Sequence, residues 1–121
     1  MTIEPKRQND LALLWPPFRQ RVERIFAAMR ARGFDPIAFE TLRTQARQSY
    51  LYGIGRTHHK NRKPVTWAKI VTKHGVGKAV AVISKKRGWN WSAFFRALKE
   101  EARRENCTVL AVEQCHVEWR G

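Results

Sequence analysis

The residue types that could carry chemistry fall in two short stretches. The first is Thr72-Lys73-His74-Gly75-Val76-Gly77-Lys78-Ala79-Val80-Ala81, and the second is Glu113-Gln114-Cys115-His116. Two imidazoles and a carboxylate are groups that can hold a divalent metal and move protons at a hydrolytic centre. A catalytic zinc takes three protein ligands of His, Asp, Glu or Cys type and keeps a fourth position for water or substrate. His74 and His116 can serve as ligands, whereas Ala81 has no atom that can bind a metal.

The elements that must position these groups read as a mixture of helices and strands, without repeats or a low-complexity linker. Pro16-Pro17 suits a helix start, and Phe18, Val22, Ile25, Phe26 and Met29 recur at helical spacing until Gly33. Phe34 to Leu42 reads as a turn and short strand, and Thr44 to Tyr52 as a second helix that closes at Gly53 or Gly55. Arg56 to Pro64 is a polar, basic loop. Ala68 to Thr72 and Lys78 to Ser84 read as β segments, the latter rich in Val and Ile. Trp91, Phe94, Phe95, Leu98 and Ala102 form the apolar stripe of a third helix that runs to about Glu105. Val109 to Val112 and His116 to Trp119 are expected as antiparallel neighbours joined by a Glu113-Gln114-Cys115 turn. The fold class is therefore α+β: a small antiparallel sheet flanked by about three helices, with the cleft on the sheet. The whole of residues 1–121 is expected to form one domain with one core.

Strand side chains alternate between faces, so position 81 can face a cleft while Val80 packs behind it. Gly75 and Gly77 let the His74 loop turn back toward the sheet. On a straight strand Glu113 and His116 would face opposite sides, so the reading needs a turn between them.

These motifs resemble those of the peptidoglycan peptidases that include D-Ala-D-Ala carboxypeptidases and phage L-alanyl-D-glutamate endopeptidases. That family carries Ser-x-His-x-x-Gly-x-Ala-x-Asp and, much later, Asp/Glu-x-x-His. Thr72 stands at the Ser position, His74, Gly77 and Ala79 match, and Glu113 and His116 supply the second motif. Ala81 stands where the family has its Asp. A third block, Glu40-Thr41-Leu42-Arg43-Thr44 with Arg47-Gln48, Leu51-Tyr52 and Gly55-Arg56-Thr57, resembles the family's upstream segment, and Val65-Thr66-Trp67-Ala68 follows it. The match runs from about Leu11 to the end.

The resemblance implies one zinc ion held by His74, His116 and the residue at position 81, which as Ala cannot ligate. It implies Glu113 as the base, Arg43 as the cation that neutralises charge on the scissile carbonyl oxygen, and Gln48 and Thr72 as substrate-binding residues. The parent activity is cleavage of the peptidoglycan stem peptide at the L-Ala–D-Glu bond, as in a small phage endolysin. With a ligand missing, this chain is expected to bind zinc weakly and to hydrolyse little or nothing. The implied partners are stem peptides and a holin-type permeabiliser; the expected state is a monomer. The expected setting is the host bacterial cytoplasm, with action on the wall after release.

Charge offers a competing reading. The 24 Lys and Arg against 10 Asp and Glu give +14, and no acidic residue lies between Glu40 and Glu100. Such a chain is drawn to polyanions, whether an anionic envelope or nucleic acid, with Trp67, Trp89 and Trp91 as stacking or core residues. No helix-turn-helix, zinc-finger or RNA-binding signature accompanies the charge, so no specific nucleic acid is expected. A peptidoglycan-binding descendant that no longer cuts is the other alternative. The apolar run Leu11-Ala12-Leu13-Leu14-Trp15 stops at Pro16-Pro17, too short for a signal-peptide core or a membrane span. Cys107 and Cys115 are too few for a disulfide framework and read as small, at least half-buried residues. His58 and His59 read as solvated residues of the basic loop rather than ligands.

Overall fold

The computed structural model describes residues 3–66, 69–71, 73–111 and 113–120. Three helices, α1 (Pro16–Ala31), α2 (Gln45–Gly53) and α3 (Ser92–Arg104), accompany four strands, β1 (Pro36–Glu40), β2 (Ala79–Ser84), β3 (Cys107–Val109) and β4 (His116–Trp119). The strands form one sheet in the order β1-β2-β4-β3, and each adjacent pair is antiparallel. This is the α+β architecture expected from the sequence.

Helix α1 forms where the apolar spacing places it. Its two prolines occupy the first turn, where a missing N–H costs nothing, and Phe18, Val22, Ile25, Phe26 and Met29 are all buried. Helix α3 buries Phe94, Phe95, Ala97, Leu98 and Ala102 along one side. Both helices pack on the sheet face that carries Val80, Val82 and Val117, and together these residues form one core cluster. Among the described residues no helix is long and apolar enough to cross a membrane.

Helix α2 lies outside that core. Thr44 caps it by accepting a hydrogen bond from the Arg47 N–H at 3.2 Å, and its buried positions are Arg47, Gln48 and Gly53. Buried Arg and Gln on a short helix imply a polar partner surface, which the other face of the sheet provides.

Two expected strands need correction. Lys69 and Ile70 form a bend and Val71 belongs to no strand, and Ala68 and Thr72 lie outside the described residues. The apolar pair Ile70-Val71 suggests a β segment, yet Ile70 is 62% exposed and among the described residues no strand pairs with it. The strand placed at Val109 to Val112 begins two residues earlier, at Cys107, and ends at Val109. Asn106, with φ +56°, closes the end of α3 and delivers Cys107 opposite Trp119.

Candidate functional site

The cleft lies on the sheet face opposite the core. In β2, Val80 and Val82 point into the core cluster while Ala81 lines the cleft, as strand alternation requires. Ala81 is the register partner of His116 on β4, and directly opposed residues of antiparallel strands project to the same side. The cleft has a volume of about 560 Å³, and Glu40, Arg43, Arg47, His74, Ala81, Glu113 and His116 are among the residues on its walls.

A β-bulge brings Glu40 to this face. Ala38 pairs with Val82 on the core side, but the register then shifts and Glu40 pairs with Ala81. The extra residue lets both Phe39 and Glu40 line the cleft, re-aiming a side chain that strict alternation would send to the core. Glu40 is 1% exposed and carries two guanidinium partners. Arg43 Nη2 donates to its Oε1 at 2.7 Å, and Arg47 Nε donates to its Oε2. Burial pushes the Glu40 carboxyl toward the neutral form, but Arg43 and Arg47 outweigh it and hold the group below its ordinary value. Arg47 Nη1 also donates to Glu4 Oε1 and to the Pro5 carbonyl, each at 2.9 Å, tying the N-terminal segment to the cleft. Glu40 and Arg47 thus act as the girder under Arg43.

His74 sits in a short 3-10 turn, Lys73–Val76, immediately before β2. Gly77 closes that turn with φ +72°, and a Cβ there would meet the Trp15 backbone nitrogen at 2.7 Å. His74 Nδ1 lies 2.8 Å from the Thr41 carbonyl oxygen, which can only accept. The ring therefore carries its proton on Nδ1 and keeps the Nε2 lone pair. Burial, then Arg43, push the His74 pKa down to about 4, so the ring is neutral at neutral pH.

His116 is set in the opposite sense. Its Nε2 lies 3.0 Å from Glu118 Oε1, a carboxylate acceptor, which places the proton on Nε2 and the lone pair on Nδ1. Glu118 is in turn held by Lys73 Nζ at 2.6 Å. Burial lowers the His116 pKa against the opposing pull of Glu113 and Glu118. The two imidazoles meet edge to face with centroids 4.9 Å apart. Glu113 precedes the expected turn, closed by the His116 N–H donating to the Glu113 carbonyl at 2.9 Å, and its Oε2 stands 3.7 Å from His116 Nδ1.

Of the residues singled out from sequence, His74, His116, Glu113, Arg43 and position 81 therefore come together on one cleft wall. Gln48 does not line the cleft; it is 2% exposed and accepts from Arg43 Nη1 at 2.8 Å, so it positions the guanidinium from behind. Arg43 Nε is buried and has no hydrogen-bond partner among the described residues. Thr72 lies outside the described residues, as does Trp67. Cys115 lines the cleft, but burial, then Glu113, raise its pKa to about 11, which leaves a neutral thiol without nucleophilic strength. His58 is half-buried, its ring 4.4 Å from that of Tyr50, rather than freely solvated as expected. Sequence reasoning gave no role to Glu40 or Glu118, although Glu40, Arg43 and Arg47 stand at helical-type spacing in a segment poor in acids.

A three-ligand zinc site is not complete in these residues. Two imidazoles present lone pairs in the tautomers that metal ligation needs, and each is fixed by a second group. The third position is a methyl group, and among the described residues no group of three or more His, Cys, Asp or Glu side chains is placed to hold a metal ion. The donor set does not fit a catalytic zinc.

No protein-family model and no curated protein sequence matches the chain. Solved structures do match. The chain is similar to a mutant of the vancomycin-resistance D,D-pentapeptidase VanY from a VanB-type cassette, in complex with Zn(II), at 17% identity and TM-score 0.72, over 89% of this chain and 73% of that one. It is similar to VanYB in complex with D-alanine-D-alanine at 15% identity and TM-score 0.73, over 98% and 79% of the two chains. The L-Ala D-Glu endopeptidase ChiX of Serratia marcescens matches at 19% identity and TM-score 0.58, over 90% and 82%. At these identities the likeness is one of fold. The chain has the fold of these peptidoglycan peptidases, and that fold is consistent with the resemblance its motifs carry.

Proposed function

We propose that this chain binds the stem peptide of bacterial peptidoglycan in the cleft over β2 and β4, is of phage-endolysin type, and does not hydrolyse the bond it holds. The observation that carries the reading is the pairing of Ala81 with His116, beside a His74 ring fixed in a ligand-ready tautomer. His74, Glu113, His116 and Arg43 line the cleft with Ala81, and an alanine supplies no donor there, which supports the reading. Arg43, whose partly exposed guanidinium lines the cleft, suits a carboxylate of a stem peptide, since guanidinium donors recognise planar oxyanions. The +14 charge supports attraction to an anionic envelope. The parent bond in this reading is L-Ala–D-Glu, and a holin-type permeabiliser would admit the protein to the wall from the host cytoplasm.

Calorimetric zinc titration of this chain beside Ala81→Asp tests the proposal. The expected result is tight one-to-one binding in Ala81→Asp alone, followed by release of peptide from purified peptidoglycan by the zinc-loaded variant alone. Equal weak binding in both chains, or wall digestion by the unaltered chain, would overturn it.

A further inference from the structure

Trp89 is 48% exposed, an unusual setting for the largest apolar side chain, and it stands on the wall of the same cleft as His74, Ala81 and Glu113. Its position is fixed from several sides. The preceding turn is stapled by Asp35: Ser84 Oγ donates to Asp35 Oδ1 at 2.6 Å, the Lys86 N–H to Oδ2 at 2.9 Å, and the Lys85 N–H to the Asp35 carbonyl at 2.9 Å. Ser84 and Gly88 then exchange backbone hydrogen bonds at 3.2 and 2.9 Å, so the chain leaves the turn along one path into Trp89. The indole meets Phe39, the residue the bulge turns toward the cleft, at 5.0 Å between centroids and 73° between planes. Arg7 covers Phe39 in turn, 3.8 Å from its ring centre. The indole keeps about half of its surface exposed on the cleft wall beside this contact. Trp91, by contrast, packs against Phe34 and Phe94 at the edge of the core.

We infer that Trp89 is a stacking platform for a sugar ring, the N-acetylmuramyl residue to which the stem peptide is joined. The inference rests on the stem-peptide reading above and deepens it. In peptidoglycan, L-alanine alone separates the L-Ala–D-Glu bond from the lactyl group of the sugar. A cleft that holds this bond near His74 and His116 therefore has the sugar within about two residue lengths, roughly 7 Å, and so against its own wall. The apolar face of a pyranose needs a flat apolar surface with wet edges, which an exposed indole supplies. Because the platform is already fixed, binding loses little side-chain freedom there. A cleft that held a bond at the far end of the stem would leave the sugar outside, and Trp89 would have no sugar to meet.

The test compares two probes on the full chain by equilibrium titration in EDTA: N-acetylmuramyl-L-Ala-D-Glu-L-Lys and the same tripeptide without the sugar. The expected result is roughly tenfold tighter binding of the muramyl form. Trp89→Ala should erase that advantage while leaving tripeptide affinity unchanged, and Trp89→Tyr should keep part of it. Equal binding of the two probes by the unaltered chain would overturn the sugar platform while leaving the stem-peptide reading intact. Loss of tripeptide binding in Trp89→Ala would also overturn it, assigning Trp89 to the shape of the cleft. Binding of neither probe would overturn the stem-peptide reading and the platform with it. A Trp89-dependent affinity for single-stranded oligonucleotide without one for the muramyl probe would replace the sugar by a base.

Discussion

Val80, Ala81 and Val82 are successive residues of β2, yet they belong to two regions built on different rules. The face with Val80, Val82 and Val117 is closed by α1 and α3, and its side chains need only shape and apolar surface. The face with Ala81 and His116 is open, and its buried groups are ionic and fixed pairwise: Glu40 by Arg43 and Arg47, His74 by Thr41, His116 by Glu118. The strands serve both faces at once, so the backbone that places the cleft groups is held by the core packed on its other side. A donor can therefore disappear from the cleft face without disturbing the fold. Ala81 is a small side chain on that face, beside cleft groups that are each held by a second residue.

The largest expected effect comes from placing the same charge on either side of that divide. Val82→Asp puts a carboxylate among the core side chains and should lower unfolding free energy by more than about 4 kcal/mol. Ala81→Asp, one residue away, opens onto the cleft beside His116 and should change it by about 1 kcal/mol without metal. Urea melts of the two variants check this, and equal losses would erase the distinction between the faces.

Next is Glu40→Gln, which breaks the cleft side only. Removing the shared carboxylate leaves the Arg43 guanidinium without a carboxylate partner and Arg47 with only the more exposed Glu4, with an expected loss of about 3–5 kcal/mol. Amide exchange should show the opening concentrated in α2 and the residues before it, with α1 and α3 still protected. Uniform loss of protection would mean that the two faces melt as one.

The smallest effect is set by pH. The folded His74 pKa is about 4 against an ordinary value of 6.5, so the unfolded chain takes the proton first. Stability from this group is whole above about pH 6.5 and is lost as pH falls toward 4, by up to about 3 kcal/mol. The lowered His116 pKa adds in the same direction. Urea midpoints measured in EDTA at pH 7 and pH 5 should fall on the acid side, and His74→Gln should flatten the slope. An unchanged midpoint would show that the folded cleft accepts protons as easily as solvent does.

The core side was legible in the sequence because helical spacing carries it. Each of Phe18, Val22, Ile25, Phe26 and Met29 is buried where the period placed it, and the α3 stripe fell equally well. The motif residues His74, Glu113 and His116 meet in the cleft, with the turn that their spacing required. What stayed hidden was the support. A bulge that turns Glu40 toward the cleft has no mark in one sequence, because alternation is read on the assumption of regular pairing. The hold of Glu118 on His116 depends on residues two apart along β4 leaning together, and Lys73 reaches it only through the fold. The strand expected around Ile70 and Val71 failed for a different reason: both have strand character, but the backbone of Lys69 and Val71 is taken up by the Gln45 side chain of α2 rather than by a neighbouring strand.

The register of Ala81 against His116 also has a meaning in the language of genes. Every alanine codon becomes a codon for aspartate or glutamate when its second base changes from C to A. The framework that fixes both imidazoles thus stands one nucleotide away from an acidic side chain at position 81, opposite His116 in the register of the sheet.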